Sequence, residues 1–187
     1  EERMGALGWT LTAETDPEQR ITLVVIDEDS IAEIGPWPWT RSDMALLVRA
    51  IDDAGAQLQI HDISYPEERP GDAELESALA AVTGAVIAQV PALGALSDAP
   101  QTGRLTHSLA GVSCSDGPAG LNLWSANGYV GSASVFEGIP KGHNAAIIEA
   151  DGSVRRSPAV VCVEGQAFPA LSISAFLQLG STGQWQG

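Results

Sequence analysis

Two carboxylates, a hydroxyl and an arginine, Asp27, Asp29, Ser30 and Arg41, fall within fifteen residues of one another. A further carboxylate, Asp62, closes the next apolar stretch. Carboxylate and hydroxyl oxygens are hard donors of the kind that hold Mg²⁺ or Ca²⁺. An arginine in the same place can clamp an anion or pair with one of the acids. Asp27 and Asp62 stand at the ends of two runs that read as strands, and open α/β sheets bind ligands at that edge. Asp27, Asp29, Ser30, Arg41 and Asp62 are therefore the expected contacts for a ligand that the sequence does not name. The competing reading is that strands often end in polar residues and that Arg41 makes an ordinary internal ion pair.

The case for catalysis is thin. Asp27-Glu-Asp-Ser-Ile31 resembles the aspartyl-phosphate hydrolases of haloacid dehalogenase type, in which one Asp attacks phosphorus and a second serves as acid and base. That reaction needs a lysine beside the nucleophile and a later acidic pair for Mg²⁺. The lone lysine, Lys141, sits in a Gly-Pro loop, and Asp52-Asp53 closes a helix instead of following a strand. His61, His107 and His143 show no paired metal spacing, and no Gly-x-Ser-x-Gly elbow or Gly-rich phosphate loop occurs. No catalytic residue, resident metal or cofactor is expected.

The elements that must position these residues are well signalled in the first half. Ile21–Asp27 is apolar without alternation, which suggests a strand covered on both faces. Thr40 and Asp43 form a capping-box pair, Met44, Leu47, Val48 and Ile51 share one helical face, and Gly55 follows the end. Gln57–Ser64 reads as a second strand, Asp72 as the cap of a helix with Leu75, Ala78, Leu79 and Val82 inward, and Ala85–Val90 as a third strand. The result is an α/β fold with a parallel-sheet β-α-β-α-β core. Residues 91–142 are an irregular insert. Beyond it, Asn144–Glu149, Asp151-Gly152 and Val154–Val163 predict a hairpin, and Pro169 opens a last helix, Ala170–Leu179. Residues 1–20 form a lead-in, 21–180 a single domain and 181–187 a tail. Trp37 and Trp39, set between prolines, read as a rigid plug, and Arg155-Arg156 as an ion-pairing edge.

The balance of 9 basic against 24 acidic residues, formally −15, repels phosphate backbones and anionic surfaces, so nucleic acid is not an expected partner. No run of eighteen apolar residues is present to span a bilayer. A start at Glu1 suggests a segment of a longer protein. Cys162 lies in an apolar run and reads as a small buried hydrophobe; whether it pairs with Cys114 stays open.

Taken together, Val25-Ile-Asp-Glu-Asp-Ser30, Gly35-Pro-Trp-Pro-Trp-Thr-Arg41, Ala54-Gly-Ala56, Asp62-Ile63, Gly142-His-Asn144, Asp151-Gly-Ser-Val-Arg-Arg156 and Phe168-Pro-Ala-Leu-Ser172 resemble the second type of CHASE domain. CHASE abbreviates cyclase/histidine-kinase-associated sensory extracellular domain. The resemblance runs from about Pro17 to Gly180, apart from 91–142. It implies the periplasmic or extracellular input module of a bacterial inner-membrane receptor. Flanking transmembrane helices of the same receptor would carry the signal to a cytoplasmic adenylate or diguanylate cyclase, histidine kinase or Ser/Thr kinase. The partners it implies are a small ligand or another protein, and a second copy of the receptor in a homodimer. A dimerisation module that binds no small molecule is the alternative from a different class.

Overall fold

The computed structural model describes residues 19–93, 100–112, 114, 123–149 and 151–181. By its contacts the chain divides into two compact units, Glu1–Pro38 and Trp39–Gly187. Among the described residues the fold is mixed α/β, with four α-helices and several mixed sheets.

In the first unit the expected opening strand is absent: residues 21–27 form no strand. Ile21, Leu23, Val24 and Val25 are exposed by 76, 84, 53 and 59%. An apolar run gives a segment strand propensity but does not supply the neighbour whose N–H and C=O groups complete a ladder. The chain enters a short helix at once, α1 (Glu28–Ile34), capped by Asp27 and stopped by Gly35 in a conformation with φ of 130°. The Trp37–Pro38 peptide bond is cis.

The second unit opens with α2 (Arg41–Asp53). The Thr40 side chain accepts from the Asp43 N–H, and the Thr40 hydroxyl donates to the Asp43 carboxylate. Gly55 leaves the helix at φ of 93° while its N–H bonds the Asp52 carbonyl. Met44 and Val48 are buried and Leu47 and Ile51 half-buried, as the spacing predicts. The second helix, α3 (Asp72–Ala81), buries Leu75, Ala78 and Leu79. Its cap is Gly71, at φ of 89°, and not Asp72. A Cβ on Gly71 would lie 2.9 Å from that of Arg41, so α2 crowds this corner.

Between and after these helices run β1 (Gln59–His61) and β2 (Ala85–Pro91), paired in parallel with His61 opposite Ile87. The expected β-α-β-α-β core thus retains its last two strands and both helices. Residues 91–142 hold β3 (Gln101–Thr102), β4 (Trp124–Ala126), β5 (Tyr129–Val130) and a 3₁₀ turn, Ser134–Phe136. The third parallel strand is β6 (Lys141–His143), on the other side of β2, with Lys141 opposite Ile87 and His143 opposite Gln89. Its polar sequence, Lys-Gly-His, hides a strand that is fully buried.

The C-terminal hairpin is realised as β7 (Ile147–Ile148) with β8 (Val154–Arg156). The expected strand Val154–Val163 is broken, because Pro158 has no N–H to give a ladder. Beyond it β9 (Val160–Val163) pairs with β10 (Gln166–Pro169) and, in parallel, with β4. The last helix, α4 (Leu171–Ser181), lies across β2 and β6. Contact there is close: a Cβ on Gly142 would overlap the Leu171 Cα. Cys114 and Cys162 form a disulfide, Cα to Cα 5.9 Å, which ties the end of the 100–114 segment to β9.

Candidate functional site

The polar residues expected to meet a ligand have separate local duties. In the first unit Asp27 Oδ1 accepts from the Ser30 N–H at 2.9 Å and the Ser30 hydroxyl at 2.7 Å. The hydrogen bonds from Ser30, side chain first and then backbone, hold the Asp27 carboxyl below its usual range. Asp29 lies in the first turn of the same helix, where the N-terminal dipole favours an acid.

In the second unit Arg41 is buried with Asp72, Nε to Oδ1 2.7 Å, and donates from Nη2 to the Glu67 carbonyl. Its guanidinium lies 4.4 Å from the centre of the Tyr65 ring, which itself packs on Phe136. The other Asp72 oxygen accepts from the Arg69 N–H. Arg41 therefore ties α2, α3 and the 65–69 segment together. Asp62 accepts from the Asn144 amide at 2.6 Å across 82 residues of sequence. These two residues follow β1 and β6, on either side of β2, so their bond closes the C-terminal edge of the parallel strands. Both remain exposed there. Among the described residues no three His, Cys, Asp or Glu side chains gather as a metal site.

Register sets His61 and Lys141 on either side of Ile87, and His143 beside Gln89, all on one face of the sheet. Desolvation pushes His61 and His143 down to about 4. The Ala145 N–H donates to His143 Nδ1, which places the proton of the neutral ring on Nε2. Lys141, 1% exposed, gives its ammonium hydrogens to the Phe136 and Ile139 carbonyls. Burial brings its pKa down to about 8, against a raising pull from Glu137.

The second unit also contains a cleft that the sequence did not announce, about 200 Å³ in volume. Leu105, Val163 and Phe168 reach its base, but Val163 and Phe168 are almost fully buried in the core around Ala126, Ala145 and Val161, and Tyr129 lines it beside them. Arg104, Glu137, Glu164 and Gln166 stand around it, with Thr106 between. Its walls are fixed by backbone contacts. Arg104 exchanges two hydrogen bonds with Ser132, N–H to O in both directions, at 2.9 Å. Gly131 permits this approach, since a Cβ there would overlap the Arg104 carbonyl. The Gln89 amide grips Thr106 on both sides, donating to its carbonyl and accepting from its N–H. Glu164 and Gly165, with φ of 51° and 78°, make the two-residue turn between β9 and β10. Glu164 Oε1 accepts from the Gln101 amide.

Compared with known proteins, this chain matches the family model of the CHASE2 domain over residues 3–186. It belongs to that family. CHASE2 domains are extracellular sensory domains and not catalytic ones. No curated protein and no solved structure matches the chain. In this CHASE2 domain the signature residues Trp39 and Arg41 are buried, while Trp37 is 42% exposed. The Asp151-Gly-Ser-Val-Arg-Arg156 block builds the β7–β8 hairpin: Arg155 pairs with Asp151 and Arg156 with Glu149, each at 2.8 Å. Hydrogen bonds from Arg155 and Ser153 depress the Asp151 carboxyl strongly. The legible motifs of the CHASE2 sequence thus coincide with structural staples, whereas the cleft residues Arg104, Tyr129, Glu137 and Glu164 lie outside them. The one sequence signal beside them is Gly165, a turn-forming residue that follows Glu164.

Proposed function

We propose that this CHASE2 domain is the extracytoplasmic signal-input part of a bacterial membrane receptor whose flanking transmembrane helices control a cytoplasmic cyclase or kinase. The observation that carries this reading is the family match along nearly the whole chain. The Cys114–Cys162 disulfide supports it, because disulfides persist in oxidising compartments. Signal would pass as a shift between two states, limited by the ligand's differential affinity for them. Among the described residues no helix is long and apolar enough to cross a membrane, and the spans that this reading requires are assigned to flanking sequence. The test is the full-length gene. Alkaline phosphatase fused after this domain should be active, and removing the domain should change the output activity. A fusion active only as a cytoplasmic reporter would sink the reading.

The exposed run at Ile21, Leu23, Val24 and Val25 favours a second and compatible role, self-association of receptors through the first unit. Light scattering should then show mass rising with concentration, and Leu23→Glu with Val25→Glu should keep the chain monomeric. Contact of the signal with Asp27, Asp29, Ser30, Arg41 or Asp62 is a further part of the proposal. It predicts that Asp27→Ala or Asp62→Ala folds normally yet loses part of the thermal shift that a ligand produces.

A further inference from the structure

Two stretches of this chain are each one half of a β-ladder. Residues 21–27 run up to the start of α1 without helix or strand, and Ile21, Leu23, Val24 and Val25 are all more than half exposed. Among the described residues no backbone N–H or carbonyl of 21–26 enters a hydrogen bond. Laid out as a strand, the run offers Ile21, Leu23 and Val25 to one face and Val24 and Ile26 to the other. A strand apolar on both faces belongs inside a sheet and not on a surface.

The complementary half is the outer side of β1. Among the described residues β1 stands at the end of its sheet and pairs with β2 alone. Its bonds on the β2 side extend past the three strand residues. The Gln59 N–H donates to the Gly84 carbonyl at 2.9 Å, and the Ile63 carbonyl accepts from the Ala88 N–H at 3.3 Å. Successive strand residues turn their backbone groups to opposite edges, so those of Leu58, Ile60 and Asp62 face outward. Among the described residues none of these backbone groups is hydrogen-bonded. By register Ile60 shares a face with Val86, Ala88 and Gly142, the face that α4 covers at Gly142, yet Ile60 is 53% exposed. No lysine or proline guards this edge between 57 and 63, as native edge strands commonly arrange.

We propose that residues 21–27 of one copy add as a strand to the open edge of β1 in a second copy, with Val24 beside Ile60. The stretches 21–27 and 57–63 match in length, and these two residues are their midpoints. Each copy carries one donor strand and one acceptor edge, so the exchange is reciprocal and closes as a two-fold dimer. An unrelated partner would engage one half and leave the other unpaired, whereas a second copy uses both. Asp27 and Asp62 are the charged side chains of the two stretches, so the seam avoids most of the −15 that each chain carries. This deepens the self-association reading above and rests on it, adding the surface that receives the exposed run.

The test follows the purified chain by light scattering across concentration and by cysteine cross-linking. Ile60→Lys, at an exposed side chain, and Val24→Pro, in a segment outside helix and strand, should leave circular dichroism unchanged. Each should weaken the dimer about tenfold or more. A Val24→Cys chain mixed with an Ile60→Cys chain and mildly oxidised should give a disulfide-linked pair in higher yield than either chain alone. A parent chain that stays monomeric at every concentration overturns this inference and the self-association reading together. A dimer that ignores Ile60→Lys and forms no bond between positions 24 and 60 overturns this inference alone, leaving association through the first unit. A Val24→Cys/Ile60→Cys chain that closes the bond within a monomer overturns it too.

Discussion

Arg41 shows at the residue scale how a functional-looking side chain also serves the architecture. Its guanidinium meets Asp72, the Glu67 carbonyl and the Tyr65 ring at once, all away from water. Removing one member of a buried ion pair strands the other, at a cost of about 3–5 kcal/mol. Arg41→Ala and Asp72→Ala should each lose about that much in urea unfolding. Arg41→Lys should rank between the parent and Arg41→Ala, because it keeps the charge without the planar fork. The buried histidines give a pH signature. An unfolded imidazole takes up its proton near 6.5, whereas folded His61 and His143 resist protonation until about 4. Between those values the unfolded chain binds more protons, so stability falls as pH drops from 6.5 to 4. Tm followed across that window should decline, and the decline should flatten in His61→Gln/His143→Gln. The lowered carboxyls of Asp27 and Asp151 act below the ordinary carboxylate range, so their contribution is lost later in the same acid titration.

Elements were legible wherever local chemistry decides them. Thr40, Asp43 and Gly55 bracket α2 as their types predict, and the apolar spacing of Leu75, Ala78 and Leu79 fixes the inward face of α3. What could not be read was pairing. Ile21–Asp27 has a better strand composition than Lys141–His143, yet β6 is the strand, because Gly142 lets α4 close over it and β2 supplies its ladder. Neighbours that far apart in sequence leave no periodic trace. The cleft was hidden for the same reason: Arg104, Tyr129 and Glu164 converge from three segments far apart in sequence. The close approaches do make a prediction. Gly142→Ala would press a methyl into the Leu171 backbone, and Gly131→Ala would do so against Arg104. Overpacking of this kind costs about 1–3 kcal/mol. Urea midpoints should drop for both, and Gly131→Ala should also disturb the cleft, seen as lost protection of the Arg104 and Ser132 amides in hydrogen exchange.

For the molecule as a whole, two compact units share one chain, and the second carries the sheets, the cleft and the disulfide. A link spanning 48 residues removes chain entropy from the unfolded state worth about 4 kcal/mol. Reduction with dithiothreitol should shift the urea midpoint by a matching amount, and Cys114→Ser/Cys162→Ser should reproduce the shift without reductant. The same bond gives the protein another property. Everything from β4 to Cys162 in β9, including the exposed Asp151-Gly152 turn, lies inside one covalent ring. A protease that cuts that turn opens the ring without parting the chain, and the two pieces separate on a gel only after reduction. A single nick in that turn would therefore leave the chain covalently whole.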